Sequence, residues 1–317
     1  MTVSEENNKR IIDLVYLWCD GNDPVWCEKK EKTLLALNIK VEKGAANECR
    51  FVQSDELMYS LRSVEKFAPW INNIFIVTDN QVPKWLNLNN SKIHIVDHKD
   101  IMPAKALPTF NSMAIECCLP YIEELSEYFL FANDDMMLWN KVEKDLFYTN
   151  SGKPICRMRQ KIHKKPYKHL YGYTIAKAYK MVKSKYKLNA PYFPHHNIDA
   201  YRKSYFLDCI NEYREEFNKT VCQQFREFES VQRSIVSYYM LAKDSAVLKC
   251  IEKPWYNPFF SEESVYAKCL ISKLKNLDKK DCKFICVNDS ERSTNSDREY
   301  MQKILEAKFP EKSSFEI

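Results

Sequence analysis

The stretch Tyr128-Phe129-Leu130-Phe131-Ala132-Asn133-Asp134-Asp135-Met136-Met137-Leu138-Trp139 sets two adjacent carboxylates between two apolar runs. Such a pair can hold a divalent cation, because Mg²⁺ takes one or two protein carboxylates and completes its shell with phosphate oxygens and water. A simpler role is available: an Asp here can cap the following turn through its own backbone. Polar ends on other apolar runs favour the metal. Asp20 follows residues 11–18, Asp79-Asn80 follows 74–78, and Asn288-Asp289 follows 284–287. Asp20 and Asp289 are therefore candidates to converge on the same cation.

Other residue types could work beside a bound diphosphate. His195-His196 follow Pro191-Tyr192-Phe193-Pro194. A Pro-flanked His pair is commonly structural, but next to a diphosphate a His is a natural base for a hydroxyl acceptor, since it titrates near working pH. Arg62, Arg202 and Arg226 are candidate phosphate forks. On spacing alone Arg62 is equally an exposed helix residue.

Short β-rich runs must position these groups: residues 11–18, 74–78, 93–97, 128–132 and 284–287. Near-continuous apolar runs of this length suit strands buried on both faces. Between them lie helical patterns. In residues 54–70, Leu57, Leu61, Val64 and Ala68 share a face, Ser54 is the candidate N-cap and Pro69 ends the helix. Residues 110–125 read as a helix interrupted near Pro120. Strands alternating with helices predict a mostly parallel α/β sheet, in which ligands bind beyond the carboxyl ends of the strands.

Residues 151–190 are rich in Lys and Tyr. They read as a solvated helical insertion, or as a basic aromatic surface for a phosphorylated acceptor or lipid headgroup. Residues 191–280 read as mainly helical, with 230–242 the clearest segment. Residues 281–317 read as a returning strand and a C-terminal helix stopped by Pro310. With 4 Gly in 317 residues, neither GxGxxG nor GxxxxGK[ST] occurs, which excludes the Gly-rich phosphate loops. The 12 Cys form no CxxC pair and no zinc spacing, so buried reduced thiols are expected. The start is polar and no run of about 18 apolar residues occurs, so a cytoplasmic protein is expected. A net charge of +5 fits an anionic substrate or membrane surface but decides little.

Taken together, the motifs resemble the Stealth family, which includes bacterial capsule-polymer sugar-phosphate transferases and the N-acetylglucosamine-1-phosphotransferase that tags lysosomal enzymes. The first family block is matched by residues 12–24, with Cys19 where Val is usual. The second is matched by 55–87, 93–103, 107–116 and 129–138, the third by 194–206 with 225–232, and the fourth by 283–290 with a family-like tail at 308–316. Counting back from Arg226 selects His196 over His195 as the family histidine.

The resemblance implies a Rossmann-like, GT-A-like sheet in one catalytic domain with helices on both faces. It also implies transfer of sugar-1-phosphate from a nucleotide sugar such as UDP-N-acetylglucosamine to an acceptor hydroxyl, with release of UMP. Mg²⁺ or Mn²⁺ would sit on Asp134 and Asp135, with Asp289 as a further ligand. Arg62 and Arg226 would stabilise phosphoryl oxygens, and His196 would take the acceptor proton. Trp18, Asp20, Gly21, Thr78, Asp79 and Asn80 would shape the nucleotide pocket, and Asn111 and Asn133 would orient substrate. The implied partners are a nucleotide-sugar donor and a glycan or lipid-linked glycan acceptor. No nucleic acid is expected, and a peripheral contact with the inner face of the membrane is. Two other readings stay open: a metal-dependent glycosyltransferase that breaks the sugar–oxygen bond and releases UDP, and a non-catalytic polysaccharide- or membrane-binding protein.

Overall fold

The computed structural model describes residues 10–37, 51, 54–162, 167–196, 198–250, 282–287 and 294–317. Asp289 lies outside them, as does the later part of the segment expected to be helical.

The central sheet contains β1 (Ile12–Leu17), β2 (Ile74–Thr78), β3 (Ile93–Asp97), β4 (Tyr128–Asn133) and β8 (Asp199–Arg202) in the order β3-β2-β1-β4-β8. Every neighbouring pair is parallel except β4 with β8. Side chains alternate across the sheet, and both faces are covered. Val15, Leu17, Phe75, Val77, Phe129 and Phe131 enter one core; Leu14, Tyr16, Ile74, Ile76, Leu130 and Ala132 enter the other. The apolar runs of β1 and β2 are continuous because neither face of these central strands is left for water.

Among the described residues the helices are α1 (Pro24–Leu37), α2 (Glu56–Phe67), α3 (His98–Ile101), α4 (Ser112–Glu116), α5 (Leu170–Lys185), α6 (Lys203–Glu212), α7 (Arg214–Val221), α8 (Ser234–Ala242) and α9 (Asn295–Lys308). Leu57, Leu61 and Val64 of α2 close the second core, as their spacing predicts. Ser54 is not its cap. Asp55 precedes the helix in the left-handed region at φ 61, and the Ser54 N–H instead donates to the Glu56 carboxylate. The first core is covered by α4, α5, α6, α7 and α8.

Two smaller sheets complete the frame: β5 (Met136–Leu138) with β10 (Phe284–Cys286), and β7 (Tyr192–Pro194), β6 (Ile155–Lys161) and β9 (Val247–Cys250) in the order β7-β6-β9. The described residues of 151–190 are thus no solvated appendage. On α5, Ile175, Ala178 and Val182 are buried in the first core, while Lys180, Lys183 and Lys185 face outward. The lysine-rich composition reflects one face of an amphipathic helix.

Candidate active site

The strand order reverses between β1 and β4, and a ligand crevice belongs at such a switch point. The register pairs Leu17 with Asn133, so the loops after both strands leave the sheet at one level. After β1 comes Trp18 to Gly21; after β4 comes the Asp134-Asp135 turn into β5. That turn is held from several sides. The Ser60 hydroxyl of α2 donates to the Met136 carbonyl at 2.5 Å, the Ser63 hydroxyl accepts from the Leu138 N–H at 3.0 Å, and the Val287 N–H donates to the Asp135 carbonyl at 2.8 Å.

The carboxylates are crowded. Asp135 Oδ2 accepts the Cys286 thiol at 3.4 Å, while Oδ1 is buried with no hydrogen-bond partner among the described residues. Burial and then the Asp134 charge push the Asp135 carboxyl up to about 7. Burial and the same charge push Glu56, at the start of α2, up to about 8. Negative charge in excess of local donors, with one orphaned carboxylate oxygen, fits a divalent cation. Among the described residues no three His, Cys, Asp or Glu side chains are grouped to hold a metal. Two carboxylates suffice when phosphate and water complete the shell.

The nucleotide-pocket candidates line the ends of β1 and β2. Trp18 N–H donates to the Val77 carbonyl at 3.0 Å, extending the pairing past the strand. The Gln81 amide binds both the Asp20 N–H (2.9 Å) and carbonyl (3.0 Å), which ties the two loops together. Asp20 Oδ1 caps its own turn at the Asn22 N–H, and Asp79 pairs with Lys29 at 2.7 Å. These carboxylates therefore serve their own loops, and Asp20 does not join the Asp134-Asp135 pair in the structure. Gly21 is required by close approach: a Cβ there would lie 2.2 Å from the Phe51 carbonyl oxygen. Thr78 is fully buried with its hydroxyl unpartnered among the described residues, and Asn80 adopts φ 55. Asn133 ends β4 beside the Asp pair, half-buried.

The histidines enter from β7 and β8. His195 N–H donates to the Arg157 carbonyl at 2.8 Å; burial and the charges of Arg157 and Arg159 push its imidazole down to about 3. His196 Nδ1 lies 3.3 Å from the Tyr171 hydroxyl. Burial, then the charges of Arg233 and Arg159, hold it neutral well below the usual His range. A neutral imidazole is the form a base needs. The charge of Arg233 acts on both Asp135 and His196.

Arg226 binds the Ser112 hydroxyl. Asn111 is fully buried: its Oδ1 caps α4 at the Met113 N–H, and its amide donates to the Gln223 and Phe225 carbonyls. It fixes the Arg226 loop, and its polar atoms are spent on protein instead of substrate. Arg62 and Arg202 stand elsewhere. Arg62 is clasped by Glu316 at 2.6 Å and by the Phe309 carbonyl at 2.8 Å. Arg202 pairs with Glu127 at 2.7 Å, opposite Tyr128 at the far end of β4. Glu56, Gln81, Tyr171, Glu116, Asp199 and Arg233 were not singled out from the sequence. Of these, only Arg233 carried a local signal, a charge inside the apolar run from Val231 to Met240.

The family model described as Stealth protein CR2, conserved region 2, matches residues 50–156. The capsular polysaccharide phosphotransferase WcwK of Streptococcus pneumoniae is 31% identical over 96% of this chain and 98% of that protein. The capsular polysaccharide phosphotransferase fcs1 of Haemophilus influenzae is 34% identical over 90% of this chain and 79% of that protein. The exopolysaccharide phosphotransferase cps2G of Lactiplantibacillus plantarum is 30% identical over 96% of both. Among solved structures, the galactosyltransferase LgtC with donor and acceptor sugar analogs covers 95% of this chain at 11% identity and a TM-score of 0.44. With full-length relatives at this identity, the chain belongs to the Stealth family of phosphotransferases.

Proposed function

We propose that this protein transfers sugar-1-phosphate from a nucleotide sugar to a hydroxyl of a glycan or lipid-linked glycan, in the synthesis of a capsular or other surface polysaccharide. The observation that carries this reading is the orphaned Asp135 oxygen beside Asp134, with a half-buried, neutral His196 sharing the field of Arg233. Asp134 and Asp135, with Asp289 as a further candidate, would hold Mg²⁺ or Mn²⁺. When bound, the cation neutralises the diphosphate and polarises its P–O bonds.

The loops after β1 and β2 bind the nucleotide. Arg226 binds phosphoryl oxygens and stabilises the charge that builds on them. His196 accepts the acceptor hydroxyl proton as the oxygen attacks the phosphorus attached to the sugar. An acceptor O–P bond forms, the P–O bond between the two phosphates breaks, and nucleoside monophosphate departs. The anomeric C–O bond is untouched. Positioning and charge neutralisation suffice for such a transfer. No helix among the described residues is long and apolar enough to cross a membrane, and we place the protein at the cytoplasmic face, in peripheral contact with lipid-linked acceptor.

The test is product analysis. The protein is incubated with Mg²⁺, UDP-N-acetylglucosamine and other nucleotide sugars, and a capsule-type or lipid-linked acceptor, and UMP is separated from UDP. UMP, with phosphorus retained in the product and activity lost to EDTA, supports the proposal. UDP with a phosphorus-free product makes this a glycosyltransferase.

A further inference from the structure

Arg233 is a half-buried cation that touches three of the segments from which the site is built. Its Nη1 lies 3.2 Å from Glu116 Oε1 on α4, its Nε lies 3.2 Å from Asp199 Oδ2 on β8, and its guanidinium stands 4.6 Å from the centre of the Phe131 ring on β4. Each contact leads to a different functional group. β4 runs on to Asn133 and the Asp134-Asp135 turn. β8 follows His196 in the chain, and its Asp199 pairs in register with Phe131. α4 begins at Asn111 and Ser112, which hold the Arg226 loop.

The residue is also in a costly place. It sits at the N-cap of α8, where the helix dipole disfavours a cation. Of its two carboxylate partners Glu116 is buried and Asp199 half-buried, and a buried ion cluster seldom adds net stability over an apolar replacement of the same volume. Among the described residues, Glu116 even leaves its second oxygen, Oε2, without a partner. The fold gains little from this arrangement, whereas a fixed fork with two carboxylate prongs and a ring beneath it sets three backbones at defined separations.

We infer that Arg233, clamped by Glu116 and Asp199 over Phe131, is a positioning residue that sets His196 and Arg226 against the Asp134-Asp135 turn. The inference rests on the proposed roles of those residues. Catalysis by positioning is steep, since a displacement of about 1 Å costs on the order of 100-fold in rate.

The experiment compares the wild type with Arg233→Lys and with the charge-neutral triple variant Arg233→Met, Glu116→Gln, Asp199→Asn. Melting temperature, kcat and donor KM are measured on whichever nucleotide the wild type releases. UMP against UDP from the wild type judges the proposed reaction; the variants judge the clamp, so the two can fail separately. The triple variant is expected to melt within a few degrees of the wild type, with kcat lower by about 100-fold and donor KM within about threefold. Arg233→Lys, which keeps the charge but not the fork, is expected to recover about tenfold of that loss. A triple variant that melts like the wild type and keeps its kcat within about threefold would make the cluster purely structural and overturn the inference. If the triple variant does not fold, Arg233→Lys decides: unchanged kcat overturns the inference, and a lower kcat at constant donor KM supports it.

Discussion

Replacing Asp135 with Asn removes a charge without changing shape, and the metal reading predicts two opposite consequences. Burial and the Asp134 charge lift the wild-type carboxyl from 3.8 to about 7. In the folded state without metal it therefore keeps its proton up to about pH 7, while in the unfolded chain it ionises near pH 4. Stability linked to this group is intact below about pH 4 and is lost as pH rises towards 7. At about 1.4 kcal/mol per tenfold change in proton affinity, the full loss has an upper bound of ~4 kcal/mol. Solvent screening of a half-buried residue reduces that to about 2 kcal/mol. Asp135→Asn should thus melt with the wild type near pH 4 and a few degrees above it at pH 8 in EDTA. Added Mg²⁺ should raise the wild-type melting temperature at pH 8 and leave the variant unmoved, and turnover should vanish. Calorimetry at both pH values, with and without Mg²⁺, checks this. A variant that melts below the wild type at pH 8 in EDTA, or that still turns over, refutes the reasoning.

Three further outcomes follow from the same geometry. His196→Gln should lower kcat by roughly 100- to 10,000-fold with little change in donor KM. Because the imidazole is held neutral, wild-type kcat at saturating Mg²⁺ should persist below pH 6, and an acidic limb centred on pH 6.5 would contradict that. Arg62→Met should cost about 3 kcal/mol of stability by leaving the buried Glu316 unpaired, without raising donor KM. An unchanged melting temperature with a raised KM would return Arg62 to the phosphate. Gly21→Ala should raise nucleotide-sugar KM by about tenfold through its clash with the Phe51 backbone, measured from initial rates with kcat retained.

The strands at 74–78 and 93–97 stand where the sequence places them; the first is buried throughout, while the second, at the sheet edge, is half-buried at His94, Ile95 and Asp97. Residues 151–185 were harder to interpret. Arg157 and Arg159 look like a basic surface, yet Arg157 is 4% exposed and its charge depresses His195 from inside the fold. Local composition cannot distinguish a lysine that covers a helix from an arginine buried beneath it. Asp134, Asp135 and His196 were visible as local clusters. Glu116 and Asp199 were not, because each is a single carboxylate whose meaning depends on Arg233, more than thirty residues away in the chain. Arg62 stood out for its residue type and was misplaced for the same reason: its partner is Glu316.

The Asp134-Asp135 turn is the corner where the chain passes from the five-stranded sheet into β5, whose partner β10 comes from far along the sequence. The Val287 N–H, just past β10, grips the Asp135 carbonyl. That distant strand thus adds a long-range hold on the carboxylates to those that Ser60 and Ser63 of α2 supply. A chain with its parallel sheet formed but β10 still loose would carry both aspartates without the Val287 hold on their turn. On the proposed metal role, the affinity for the cation would therefore report whether β10 has docked.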